Sequence, residues 1–360
     1  MRDSAGLGFG GFLLGLGGGY LVFKEYNLPT NGLAWVLLII GMAVVLTAIL
    51  QWVSPGLHLN KVVSGATGGL ILALLLTQGV TFLQGLGGIG NVNQPYSTIE
   101  KKIYSGASTQ GIVELKLGGI NGPITVSTWD KQEYRIEATI TARGATQKEA
   151  DDNLSKLVKE LVKDDAQSLQ KLNLVYTSPI LLNNPYRITI EVKLPSSTKL
   201  SLDVSTSNGA IYLSNIPGNG VSLRTSNGQI ILTNVKAESL ICTTSNAAIT
   251  GNIEAKDTRI ETSNARIEVK IPSTSGGSYR ISTSNAAVDV TVGDGADYKL
   301  DASTSNADVT FNLSNLIYTK DTKTSKTAKT NGYDLSQIKI DVTISTSNGR
   351  IEVDRSTSGI

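Results

Sequence analysis

The chain has one cysteine, one histidine and two methionines in 360 residues. Cys242, standing alone, can form no intramolecular disulfide and says nothing about an oxidising compartment. With His58 it makes too small a set for a structural zinc site or a Cys/His nucleophile pair. Aromatic residues are 6% of the chain, and those after Tyr96 are few and scattered. That disfavours a β-helix carbohydrate-active enzyme, which needs polar and aromatic groups clustered on one outward face. An excess of one charge sign is also missing: Lys plus Arg is 32, Asp plus Glu is 30, net +2. Dedicated nucleic-acid binders usually carry a strong basic excess, so no nucleic-acid partner is expected. No P-loop, Ser/His/Asp set or calcium-binding nonapeptide is present. No cofactor, metal site or catalytic residue is expected, and the chain does not read as an enzyme.

Charge is absent locally as well. From Tyr26 to Asn60 there is no charged side chain and one candidate titrator, His58; from Val62 to Ile99 there is none. Three apolar runs, about 5–23, 32–53 and 62–83, are each near the roughly 20 residues a membrane-crossing helix needs. They predict a three-helix membrane anchor over residues 1–84, in contact with lipid. Arg2 ahead of the first run also suits a cleaved signal peptide, but two further runs follow and no clear small-x-small cleavage site precedes Lys24. The glycines of the first run suit close helix packing or a merely permissive anchor. Arg2 and Lys61 on one side, against Lys24 on the other, put the N-terminus in the cytoplasm and the rest of the chain outside the cell.

Residues 85–95 are Gly- and Asn-rich and read as a flexible linker. A first β segment, 96–195, shows period-two alternation over Ile112 to Leu117, Ile124 to Thr128 and Tyr134 to Ala142. Thr146-Gln-Lys-Glu149 is a capping box, and Ala150, Leu154, Leu157, Val158 and Leu161 follow at helical spacing, which predicts a helix over about 146–163.

The strongest pattern fills 196–360. Thr-Ser-Asn recurs with its asparagine at Asn208, Asn227, Asn246, Asn264, Asn285, Asn306 and Asn348, spaced 19, 19, 18, 21, 21 and 42 residues. A fixed period near 20 residues marks stacked repeats. The last gap equals two periods, as if one coil had lost its motif or been replaced by an insertion. Alternating apolar residues before the Thr, such as Leu202 and Val204, share its face; those after it, such as Ile211 and Leu213, have opposite parity. The chain therefore turns at each Asn, which with Gly tolerates the positive φ of a corner. The expected fold is mainly β: a β-solenoid of the parallel β-helix kind, with one inserted helix behind the anchor. The seven asparagines are expected to form a structural amide ladder.

The segment Gly119-Ile-Asn-Gly-Pro-Ile-Thr-Val-Ser-Thr-Trp-Asp130, then Ile188 to Pro195, then the Thr-Ser-Asn-Gly repeats, resembles the β-strand-repeat family labelled putative adhesins. The resemblance covers roughly Ile112 to Val353. It implies a cell-envelope β-solenoid, often behind a membrane anchor, with no catalytic residues and a poorly defined biochemical role.

Three outward features remain. Glu268 and Asp289 fall on the same outward position of consecutive coils, near the separation of a retaining-glycosidase pair, with Arg266, Arg259 and Arg280 near enough to neutralise them. The insertion 314–340 presents Lys320, Lys323, Lys326 and Lys329 in a Thr-rich stretch, read as a solvated loop or as a contact for an anionic surface. Asn153 and Asn312 head Asn-Leu-Ser sequons and are candidate glycosylation sites. The expected role is a structural or adhesin-like surface protein engaging envelope polymer, another surface protein or its own copies. The alternative is an envelope-stress sensor or accessory of a membrane signalling complex. A weak homotypic contact is expected through the C-terminal coil, near Ile344 to Val353, where no capping segment follows.

Overall fold

The structure is a computed structural model that describes residues 5–25, 32–53, 59–85, 94–108, 111–165, 168–178 and 184–356. Most of the linker and His58 lie outside the described residues. The chain divides into two compact units, one of residues 1–95 with 180–184 and one of the remainder.

The first unit holds three helices, α1 (Ala5–Glu25), α2 (Gly32–Val53) and α3 (Leu59–Gly85). Helices α1 and α3 touch backbone to backbone. A Cβ on Gly15 would lie 2.1 Å from Ala66 O, and one on Gly69 would lie 2.1 Å from Phe12 O. Gly11, Gly15 and Gly69 permit that close approach. The three membrane spans are not supported: among the described residues no helix is long and apolar enough to cross a membrane. Much of α1 is glycine, and α3 opens with Lys61, Ser64 and Thr67. The expected three-helix anchor is therefore not supported, and the orientation and lipid contact argued from it lose that basis.

The second unit is mainly β, with twenty strands among the described residues in one hydrogen-bonded sheet. Its strands are β1 (Tyr96–Ala107), β2 (Ile112–Ile120), β3 (Ile124–Trp129), β4 (Glu133–Gly144), β5 (Val158–Asp165), β6 (Leu169–Thr177), β7 (Tyr186–Pro195), β8 (Lys199–Thr206), β9 (Ile211–Thr225) and β10 (Ile230–Thr243). They continue with β11 (Ile249–Thr262), β12 (Ile267–Ile271), β13 (Gly277–Thr283), β14 (Val288–Val292), β15 (Asp297–Thr304), β16 (Val309–Asn312), β17 (Leu316–Asp321), β18 (Ser325–Thr330), β19 (Lys339–Thr346) and β20 (Ile351–Arg355). Each coil is a strand, an Asn corner and a second strand, and coils stack in parallel register. Leu223, for example, lies between Val204 and Cys242. The inward residues Leu202, Val204, Leu223, Leu240 and Cys242 are buried, and Ile211, Leu232, Ile249 and Val269 fill the facing column. Each such side chain contributes about 1.5–3 kcal/mol by leaving water.

Stacking order departs from sequence order at both ends. Strand β19 pairs in parallel with β13 on one side and β15 on the other, and β20 lies likewise between β14 and β16. The last coil in sequence is therefore intercalated between the coils of Asn285 and Asn306. At the opposite end, β2 and β3 lie between β6–β7 and β8–β9. The gap of 42 residues hides no lost coil; it carries a hairpin and the return into the stack. Ile344 to Val353 sit inside the stack, not at its end, so the expected homotypic contact there has no free edge.

The ends are finished by antiparallel strands: β18 on β15 with β17 beyond it, and β4, β1 and β5 at the other end. The Lys-rich insertion is thus a hairpin, not a mobile loop, closed by Thr322, whose hydroxyl accepts from Ser325 N at 3.1 Å. The inserted helix α4 (Gln147–Lys156) begins at the capping box. Thr146 Oγ1 accepts from Glu149 N at 3.1 Å, and Glu149 Oε2 accepts from Ala145 N at 2.8 Å. It ends at Lys156, not near 163. Residues 158–165 instead pair with β6 in register Val158↔Thr177 to Asp165↔Gln170. Val158, Leu161 and Val162 suited either period, and the pairing decided between them.

Candidate functional site

The corner column is the most regular surface of the β unit. Asn208 Nδ2 donates to Asn121 Oδ1 at 2.7 Å, Asn227 to Asn208 at 2.6 Å, Asn246 to Asn227 at 2.7 Å and Asn264 to Asn246 at 2.8 Å. The chain of bonds continues from Asn285 to Asn264 at 2.8 Å, Asn348 to Asn285 at 2.9 Å and Asn306 to Asn348 at 2.7 Å. All point the same way, and the column ends where Asn121 Nδ2 donates to Tyr186 O at 3.1 Å. The seven Thr-Ser-Asn rungs are solvent-exposed, and Asn121 is half-buried. Each carboxamide spends one N–H and one lone pair along the column, leaving one of each for a ligand or water. Beside them run exposed serines, Ser207, Ser226, Ser245, Ser263, Ser284, Ser347 and Ser305.

Under this surface the threonines are buried. Thr225 Oγ1 donates to Gly209 O at 3.1 Å, Thr244 to Gly228 O at 3.0 Å and Thr304 to Gly349 O at 3.0 Å. Each hydroxyl ties its own coil to the corner of a neighbouring one. Main-chain bonds do the same: Ser226 N and Asn227 N both donate to Ser207 O, at 3.2 and 3.1 Å. The ladder corners do not use positive φ. That conformation falls instead on Asn215 (φ 56°), Asn234 (φ 52°) and Asn315 (φ 62°), at other turns.

Sequence reasoning missed Asn121, whose corner reads Ile-Asn-Gly instead of Ser-Asn-Gly. It also missed a second short ladder, Asn234 Nδ2 to Asn215 Oδ1 at 3.1 Å. Leu213-Ser-Asn215 and Leu232-Thr-Asn234 carried that signal at the same 19-residue spacing.

The outward carboxylates are brought together and neutralised. Glu268 lies beside Asp289, and Asp289 beside Glu352. Arg266 sits 2.5 Å from Asp289 and 3.7 Å from Glu268, while Arg350 sits 3.1 Å from Asp289 and also pairs with Glu352. Arg259 and Arg280 are spent elsewhere, on Glu261 at 2.8 Å and Asp257 at 2.9 Å. Asp289 is thus held between two guanidinium groups, and Glu268 shares one of them. Among the described residues no group of three or more His, Cys, Asp or Glu is placed to hold a metal ion.

On the hairpin, Lys323 pairs with Asp308 at 3.3 Å, Lys326 with Asp321 and Lys329 with Asp334 at 2.5 Å, so the basic face is largely internally compensated. Lys320 stands beside them on β17. Asn153 is 5% exposed and its Nδ2 donates to Arg143 O at 2.8 Å, which closes that sequon to a glycan in the folded chain. Asn312 is exposed, but its Nδ2 donates to Asp354 at 2.7 Å and Glu352 at 3.2 Å. Cys242 is buried, and burial pushes its thiol pKa up, away from thiolate.

The family profile of Toastrack DUF4097 matches residues 114–295, half of the chain. The chain belongs to the Toastrack DUF4097 family. No curated protein matches it. Similar solved structures include a "putative cell adhesion protein" from Clostridium sporogenes ATCC 15579, at 11% identity and TM-score 0.36, covering 72% of this chain and 100% of that one. They also include a "putative adhesin" from Bacteroides fragilis NCTC 9343, at 9% identity and TM-score 0.31, covering 71% and 97%. A "putative lipid binding protein" from Parabacteroides distasonis ATCC 8503 is similar at 11% identity and TM-score 0.35, covering 72% and 97%. The Toastrack match spans β2 through β14 and so takes in the first rungs, Asn121 to Asn285, together with the end formed by β4 to β7.

Proposed function

We propose that this Toastrack chain is a non-catalytic, adhesive β-solenoid at the cell surface, and that its Ser/Asn column engages an envelope polysaccharide. The observation that carries the reading is the unbroken exposed column from Asn208 to Asn306. It repeats the same donors and acceptors at the strand spacing of about 4.8 Å. Each rung alone is a weak hydrogen-bonding site in water. A polymer that repeats its hydroxyls along the same direction meets many rungs at once, and every contact after the first is intramolecular. An interior filled with side chains and an outer face of paired charges support a scaffold over a catalytic cleft.

The test is retention of the purified full chain on insoluble envelope polysaccharide, compared with a Ser245→Leu/Ser263→Leu variant. Both serines are exposed, so the fold is expected to persist. Retention that falls several-fold in the variant supports the reading. No retention of the parent chain rejects the adhesive role, and equal retention of both chains rejects this column as the contact.

A further inference from the structure

An Asn-Gly pair can modify itself. The glycine nitrogen loses its proton and attacks the Asn side-chain carbonyl carbon; a C–N bond forms, ammonia leaves with the amide nitrogen, and a succinimide ring results. Water opens the ring at either carbonyl, giving Asp or isoaspartate, in which the main chain runs through the side-chain carbon. The balance needs only water. Glycine favours the reaction because no Cβ shields its nitrogen, and its backbone reaches the required geometry freely.

The chain has Asn-Gly at 31, 121, 208, 219, 227, 331 and 348. Asn31 lies outside the described residues. Four of the others are ladder rungs. Their electrophilic carbonyls are held by the next rung: Asn121 Oδ1 by Asn208, Asn208 Oδ1 by Asn227, Asn227 Oδ1 by Asn246 and Asn348 Oδ1 by Asn306, all at 2.6–2.7 Å. The nucleophile is held too. Gly228 N donates to Thr225 Oγ1 at 3.1 Å, Gly349 N to Thr346 Oγ1 at 3.2 Å and Gly122 N to Thr206 Oγ1 at 3.4 Å. Asn219 is exposed at a register shift inside β9, but its attacking residue, Gly220, is paired to Ser201 on β8 and Ser239 on β10.

Asn331 differs. It stands exposed in the turn between β18 and the 3-10 helix Tyr333–Leu335. Its main-chain N donates to Asn315 O at 3.0 Å, and among the described hydrogen bonds its side chain makes none. Asp297, whose carboxylate lies against Gly332, already accepts from Thr330 Oγ1 at 2.6 Å. We propose that, among the described Asn-Gly pairs, Asn331 is the site at which the folded chain deamidates, and that the ladder spares the four Asn-Gly rungs. Modification there adds a negative charge beside Asp297 and Asp334, on the segment that leads into the intercalated strand β19.

The test is incubation of the folded full chain in mildly alkaline buffer, with peptide mass mapping over time, beside a urea-unfolded sample. In the folded chain, conversion at Asn331 is expected to outpace the rungs by about 10²-fold, the scale on which an ångström of misplacement acts. In urea the six described sites converge. Rungs that convert as fast as Asn331 in the folded chain overturn the protection, and conversion led by Asn219 overturns the choice of site.

Discussion

Thr244 is 2% exposed and gives its hydroxyl proton to Gly228 O at 3.0 Å, while two residues on Asn246 stands in solvent with a bond on each side. The two residues repeat together but hold the corner unequally. Removing the Thr hydroxyl strands a buried carbonyl; removing the Asn amide returns two exposed groups to water. Thr244→Val is therefore expected to cost about 1–3 kcal/mol and Asn246→Leu only about 0.5–1.5 kcal/mol. Urea unfolding of the two variants measures the difference. A larger loss for Asn246→Leu would make the ladder, not the hydroxyl, the main tie. Cys242 obeys the same logic of burial: its thiol is expected to resist alkylation in the folded chain and to react once unfolded, followed by mass.

At the scale of elements, the intercalated coil carries the next consequence. Strand β15 rests on β19 and β18, and β16 on β20. A chain ended after Leu335 lacks β19 and β20, so β15 to β18 lose the surface they stack on. Limited proteolysis of that truncated chain is expected to trim it back to about Val292, whereas the full chain stays protected through Thr330. Protection of 297–330 in the truncated chain would show that this block docks by itself. The same element marks what the sequence makes legible. Period, face and corner are local properties, written in Leu202, Val204, Thr206 and Asn208 and repeated in each coil. Stacking order is not local. The coil of Asn348 offers Ile344 and Val353, the coil of Asn306 offers Ala302 and Phe311, and either set suits the open edge beside Ile281 and Val290. The hairpin between them decides, and its strands, rich in Thr and Lys, carry too little hydrophobic alternation to be read as strands. Asn121 was hidden for a related reason: its corner keeps the asparagine and changes its neighbour.

Across the whole β unit, buried phenols set an alkaline limit. Burial pushes Tyr298 up to about 12 and moves Tyr176, Tyr186 and Tyr279 the same way. A phenol whose pKa is higher folded than unfolded favours folding most while neutral. Its stabilisation is complete below pH 10, the unfolded value, and is lost as pH rises through about 12. Thermal unfolding followed against pH is expected to fall steeply across that window; a flat profile would mean that these tyrosines are not buried.

The ends of the unit pose the last question, because a stack of strands with open edges templates another chain. Among the described strands, β1 pairs only with β4, and β5 only with β6. Ile99 and Ile103 on β1 are 62% and 53% exposed, and Val158 and Val162 on β5 are 55% and 52% exposed. Between each pair, on the same outward face, stands one charge: Lys101 on β1 and Glu160 on β5. A second copy pairing here would have to desolvate that charge, which makes the edge a poor template. Replacing both charges gives Ile-x-Val-x-Ile on β1 and Val-x-Val-x-Val on β5, continuous apolar faces on free edges. The Lys101→Val/Glu160→Val chain is therefore expected to associate through this end and the parent chain not to, in sedimentation runs made side by side so that any contribution of the helical unit cancels. Equal association in the two chains would mean that these edges are closed by something other than charge.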